Sequence, residues 1–244
     1  MTRQLSLNLK LRDSASFENF CPGDNRELLE RVRTMTRSAA VAVPLFLWGE
    51  SGSGKTHLLQ AACRAVQADG HVPLYVPLAA PDVPPAVLED AEHAFLVCLD
   101  DVQAVARRRE WETALFALYE RARSTGAHLI AAATAAPAQL GLDLPDLATR
   151  LGWGPVYQLQ ALDDAGKLEA LRVRAQRQGF DLPMDVARYI LSRYPRDLHS
   201  LFALLERLDR AALASQRRVT VPFIQSLERA ADAGENGHGT SPRQ

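Results

Sequence analysis

Short apolar runs separated by polar stretches dominate the first reading of this chain. PLFLWG (44–49), VPLYVPL (72–78), AFLVCLDD (94–101) and AHLIAAAT (127–134) are each too brief for a helix. Strands buried on both faces read as continuous runs of this kind, so the four predict a parallel sheet sandwiched by helices. Between them, 56–68 and 111–123 carry apolar residues at helical spacing, as in Trp111, Leu115 and Leu118, and predict the covering helices. Beyond Trp153 the pattern changes. The stretches 163–178, 183–193 and 197–215 read as amphipathic helices, with Leu198, Leu201, Leu205 and Leu208 along one face, and no strand pattern intervenes until VTVPF at Val219. The expected organisation is an extended segment over 1–15, an α/β domain over 16–154, a small all-helical domain over 155–231 and a disordered tail over 232–244. That tail is Gly-rich and polar and cannot bury enough surface to order itself.

Composition narrows the classes of function. The 244 residues, 47% of them hydrophobic, suffice for one α/β core with a smaller companion. Lys and Arg number 28 against 29 Asp and Glu, so the charge gives no general reason for a sequence-independent grip on nucleic acid. Cys21, Cys63 and Cys98 are isolated and odd in number, which fits a reducing compartment better than a disulfide framework. No apolar run approaches the roughly 20 residues that span a bilayer, and MTRQLSLNLKLRD lacks the apolar segment of a signal peptide. A cytoplasmic protein without membrane contact is expected. His57, His93, His128 and His199 follow no metal-ligand spacing such as HExxH.

The strongest chemical signal is GESGSGKT at 49–56, between a predicted strand and a predicted helix. Glycines at Gly49, Gly52 and Gly54 let the backbone fold tightly, so that successive N–H groups point at a phosphate. Lys55 supplies a compact charge for the β and γ phosphates, the Thr56 hydroxyl joins the shell of a Mg²⁺ ion, and the helix start adds its positive dipole end. Glu50, Ser51, Ser53 and the adjoining His57 complete the expected nucleotide-contacting stretch. A second element agrees with it. The apolar run ends in Asp100 and Asp101, placing two carboxylates at the C-terminal end of a strand, where open α/β sheets bind ligands. Asp100 is the candidate Mg²⁺ partner, and Asp101 the group that orients or deprotonates an attacking water. Thr134 ends the next strand, where its hydroxyl either approaches the γ-phosphate or caps the strand.

Several segments together resemble the bacterial replication initiator family DnaA and, more closely, its smaller Hda-type relatives. The carriers are QLSLNL (4–9), SFENFCPGDN (16–25), the phosphate loop, CLDDV (98–102), LPDLATRLGWG (144–154) and the stretch from Tyr157 to QRRVTVPF ending at Phe223. The resemblance implies a P-loop AAA+ parallel-sheet sandwich with a small all-helical lid, and ADP or ATP with Mg²⁺ as ligands. It also implies a first sensor at Thr134, an arginine finger at Arg150 and a second sensor at Arg196. QLSLNL looks like the peptides that dock on the DNA polymerase III sliding clamp, with Gln4 in a polar pocket and Leu7 and Leu9 in an apolar cleft, flanked by Leu5, Ser6 and Asn8. The alternation of Leu5, Leu7, Leu9 and Leu11 fits a half-buried strand equally well. Arg150 and Arg196 also read as ordinary solvated arginines.

The same resemblance implies a function. A nucleotide-bound, clamp-tethered regulator would promote hydrolysis of DnaA-bound ATP through Arg150, with homodimerisation or higher self-association and without direct sequence-specific DNA binding. DnaA itself carries a basic helix-turn-helix domain that is not found after the lid-like stretch here. Some Hda-like proteins have an eroded P-loop, whereas GESGSGKT is intact, so weak intrinsic ATPase activity is compatible with the sequence. The alternative is an autonomous AAA+ ATPase that remodels or loads a DNA-associated protein.

Overall fold

Five strands, β1 (Leu45–Trp48), β2 (Pro73–Pro77), β3 (Leu96–Asp100), β4 (His128–Ala133) and β5 (Val156–Gln158), lie parallel in the order β2-β3-β4-β1-β5. The computed structural model describes residues 15–37 and 43–235. Alternate strand residues point to opposite faces. Leu45 and Leu47, Leu96 and Cys98, and Ile130 and Ala132 meet α1 (Arg26–Arg37) and α2 (Lys55–Ala68) on one side. Phe46, Val97, Leu99, Leu129 and Ala131 meet α3 (Arg109–Thr125) and α4 (Pro145–Leu151) on the other. The four expected strands and both expected covering helices form, and the sheet is sandwiched as its continuous apolar runs required.

The α/β body extends past the expected boundary at 154 and closes at Ala161. The reason is β5, which pairs Phe46 with Val156 and Trp48 with Gln158 and so belongs to the sheet instead of the helical part. Leu159 N–H then donates to the Trp48 carbonyl at 2.6 Å. The Asn25 side chain, buried, donates to Gln160 O at 3.0 Å and accepts from Gln160 N at 2.8 Å, fastening the start of the domain to its end. Before α4, the chain is pinned by Glu112, which is 1% exposed. Its carboxylate accepts backbone N–H groups from Arg107 at 2.7 Å, Asp143 at 3.1 Å and Leu144 at 2.7 Å.

The second unit begins at Leu162 and is all helical, with α5 (Asp164–Arg177), α6 (Met184–Arg193), α7 (Leu198–Ser215) and α8 (Val221–Glu235). Leu171, Leu182, Ile190, Leu201, Leu205 and Ile224 form its core. Asp163 and Asp197 cap α5 and α7, accepting from Gly166 N and Ser200 N at 2.8 Å each. VTVPF does not form a strand. Val219 packs into the core and the chain turns helical at Val221, where Pro222 suits a first turn that needs no N–H partner. Helix α8 runs to Glu235, so the expected tail boundary at 232 falls inside it.

Candidate functional site

The phosphate loop leaves β1 after Trp48 and enters α2 at Lys55. Gly52 and Gly54 take left-handed backbone angles, φ 79° and 104°, which side-chain-bearing residues rarely adopt. Gly49 donates its N–H to Ala133 O at 3.2 Å and lies so close to Leu159 that an added Cβ would stand 2.5 Å from the Leu159 carbonyl oxygen. Lys55, only 6% exposed, donates its ammonium to the carbonyls of Gly49 at 2.7 Å and Glu50 at 2.8 Å. Burial pulls its pKa below the ordinary lysine value, against the attraction of Asp100 and Asp101. With the Ser53 hydroxyl at 3.5 Å as a further acceptor, the loop is folded around an ammonium held only by neutral oxygens, a group suited to exchange them for an anion.

Asp100 ends β3 at 1% exposure. It accepts the Tyr75 hydroxyl at 2.8 Å and the Asp101 N–H at 3.1 Å, and hydrogen-bonds Thr56. Burial raises its pKa above the usual carboxylate value, with these hydrogen bonds opposing the shift. Asp101 takes a left-handed backbone, φ 60° and ψ 47°, that turns its side chain off the strand line. Its Oδ1 accepts from Gln103 Nε2 at 2.9 Å, and Gln103 Oε1 accepts the Thr134 N–H at 3.1 Å. Sequence reasoning singled out neither Tyr75 nor Gln103. Periodicity gives no sign of them, because their roles depend on partners from other strands.

The remaining expected residues scatter. His57 sits on α2 but hydrogen-bonds Ser16 O at 3.0 Å and faces the Phe20 ring, whose edge also packs by Gly54. Arg150, on the last turn of α4, ion-pairs with Glu120 and lies 4.5 Å from the Trp153 ring centroid and 5.6 Å from that of Phe116. Arg123 stands 4.5 Å from the same indole. Arg196, in the second unit, is exposed and pairs with Asp164 at 3.4 Å. Residues 4–9 lie outside the described residues.

Residues 164–227 match the family model described as Hda, lid domain, and residues 11–76 that of the bacterial DnaA ATPase domain. The fold resembles domain III of the replication initiation protein DnaA of Thermotoga maritima, with a TM-score of 0.74 at 20% identity over 86% of this chain and 93% of that one. AMPPCP-bound DnaA from Aquifex aeolicus superimposes with a TM-score of 0.71 at 20% identity over 95% and 76% of the two chains. Two separate stretches of the chain thus match the DnaA and Hda family models, and its fold is that of an AAA+ domain. The Thermotoga maritima RuvB Holliday junction branch migration motor shares the fold more distantly, with a TM-score of 0.64 and 15% identity over 88% and 73%. At these identities the solved structures establish the fold, an α/β AAA+ sandwich with a helical lid.

Within that AAA+ frame the donor set fits a hard divalent cation. Thr56 and Asp100 offer a hydroxyl and a carboxylate, both oxygen ligands, and the buried Asp100 charge lacks full compensation. Bound there, Mg²⁺ would neutralise phosphate charge. Among the described residues, Asp90, Glu92 and His93 also bring ligand atoms within 4.8 Å of one another. Glu92 is committed to Arg121 at 2.9 Å, and that cluster lies apart from the loop's hydrogen-bond network. No helix among the described residues is long and apolar enough to cross a membrane.

Proposed function

We propose that this protein binds ADP or ATP with Mg²⁺ at its phosphate loop and, in that form, presents Arg150 to ATP held by a DnaA protomer and promotes its hydrolysis. Residues 49–56 would take the phosphates, Thr56 and Asp100 the cation, and Asp101 a water beside the third phosphate. Thr134 and Arg196 serve as sensors by their match to the family pattern. Gln4 to Leu9 tether the protein to the DNA polymerase III sliding clamp, so that the outcome is negative regulation of replication initiation. Self-association as a homodimer or larger assembly belongs to the same reading.

The observation supporting a role in trans is Arg150 itself. Among the described residues it contacts Glu120, Phe116 and Trp153, all outside the phosphate loop. An arginine finger works by stabilising charge on the transferring phosphoryl group, and such a residue contributes on the order of 10³ to 10⁵ in rate. The test is hydrolysis of ATP on purified DnaA in the presence of DNA-loaded clamp. Wild type is expected to stimulate it; Arg150→Ala is expected not to.

A second reading, an ATPase acting on its own nucleotide, is favoured by one feature. Asp101 follows the C-terminal end of β3, its Oδ1 is held by Gln103 Nε2 at 2.9 Å, and its charge acts on Lys55. Turnover by the isolated protein, abolished by Lys55→Ala, would support it.

A further inference from the structure

Strands β3 and β4 are neighbours whose pairing runs from Leu96 with His128 to Leu99 with Ala131. The pairing ends there, and Asp101 and Thr134 each follow the last residue of their strand. Gln103 spans the gap. One end of its amide donates to Asp101 Oδ1 at 2.9 Å and the other accepts the Thr134 N–H at 3.1 Å. Both polar atoms of a half-buried side chain are thus engaged, one of them on Asp101, whose charge acts on Lys55 of the phosphate loop.

We propose that Gln103 is a positioning residue of the nucleotide site, fixing the Asp101 carboxylate against the end of β4 so that its second oxygen is left for a water beside the third phosphate. The inference rests on the nucleotide-site reading above and extends it to a residue that reading leaves out. Asp101 alone is poorly determined, because a two-torsion carboxylate on a left-handed residue past the strand end has several orientations. The Gln103 donor removes that freedom and leaves the free oxygen as acceptor. In the reaction, the water oxygen bonds to the terminal phosphorus as the bond to the bridging oxygen breaks. The water's proton passes to Asp101 and on to solvent, and the bridging electron pair leaves with ADP. Gln103 touches none of the reacting atoms.

The full-length protein tests this with two variants. Gln103→Leu removes both hydrogen bonds at similar volume, whereas Gln103→Glu keeps an acceptor for Thr134 but loses the donor to Asp101. Both are expected to lower kcat for ATP about tenfold, the effect of one hydrogen bond to a charged group, while KM and ADP affinity stay within about twofold. The split between kcat and KM is read together with the melting temperature without nucleotide. A role confined to holding the fold would lower melting temperature and leave these ratios alone. Unchanged kcat in Gln103→Leu, or full recovery in Gln103→Glu, overturns the inference. So does ADP binding by a wild type that never turns over ATP. Failure of wild type to bind any nucleotide overturns the nucleotide-site reading instead.

Discussion

The Glu112 carboxylate accepts the Leu144 N–H at 2.7 Å, tying the start of α3 to the residue that opens α4 across 32 positions of sequence. The same group holds Arg107 and Asp143, so a single buried charge satisfies three backbone donors. Leaving those donors without an acceptor costs roughly 1–3 kcal/mol each. Glu112→Ala is therefore expected to destabilise the α/β unit by at least about 3 kcal/mol. The readout is the midpoint of denaturant unfolding, with the slope unchanged. A shift much smaller than this would mean that water replaces the carboxylate.

Asp100 is expected to work against stability when no ligand is bound. Its folded pKa lies above the ordinary carboxylate value because burial opposes the charge. A raised folded pKa favours the protonated form on folding. That contribution is fully present below the unfolded value, about 3.9, and is lost as pH rises through the folded value above it. At neutral pH the ionised group is a cost, which Asp100→Asn removes. The variant is expected to melt higher than wild type at pH 7 without nucleotide, with the gap closing in acid. Mg²⁺ with nucleotide should raise wild type more than the variant. A variant that melts lower at pH 7 would contradict this.

Gly49 is expected to tolerate no side chain. An alanine Cβ would meet the Leu159 carbonyl oxygen at 2.5 Å, and backbone must move to relieve it. Overpacking of this kind typically costs about 1–3 kcal/mol. The displaced segment carries the loop, so Gly49→Ala is expected to weaken ADP binding as well, by isothermal titration. Unchanged affinity and melting would show that the loop relaxes freely.

How far these features were legible in the sequence follows from their range along the chain. Continuous apolar runs announce β1 to β4 because a two-sided buried strand needs little else, and the phosphate loop is legible because its residues are contiguous. The β5 strand is not, since Val156 and Gln158 are exposed and three residues carry no pattern. VTVPF misleads because β-branched residues favour strands, yet here they lead into a helix with proline in its first turn. Gln103, Glu112 and Asn25 escape sequence reasoning for a different reason. Their partners lie 31, 32 and 135 residues away, and only the fold brings them together.

Arg150 is proposed to act on nucleotide held by another protein. The most direct measurement is the rate of ATP hydrolysis on DnaA, with clamp loaded on DNA, upon addition of wild type, Arg150→Ala or a form without residues 1–10. The account predicts stimulation by wild type alone, with both altered forms inactive while still binding ADP as wild type does. Equal stimulation by Arg150→Ala, or none by wild type alongside strong hydrolysis by the protein on its own, would contradict it.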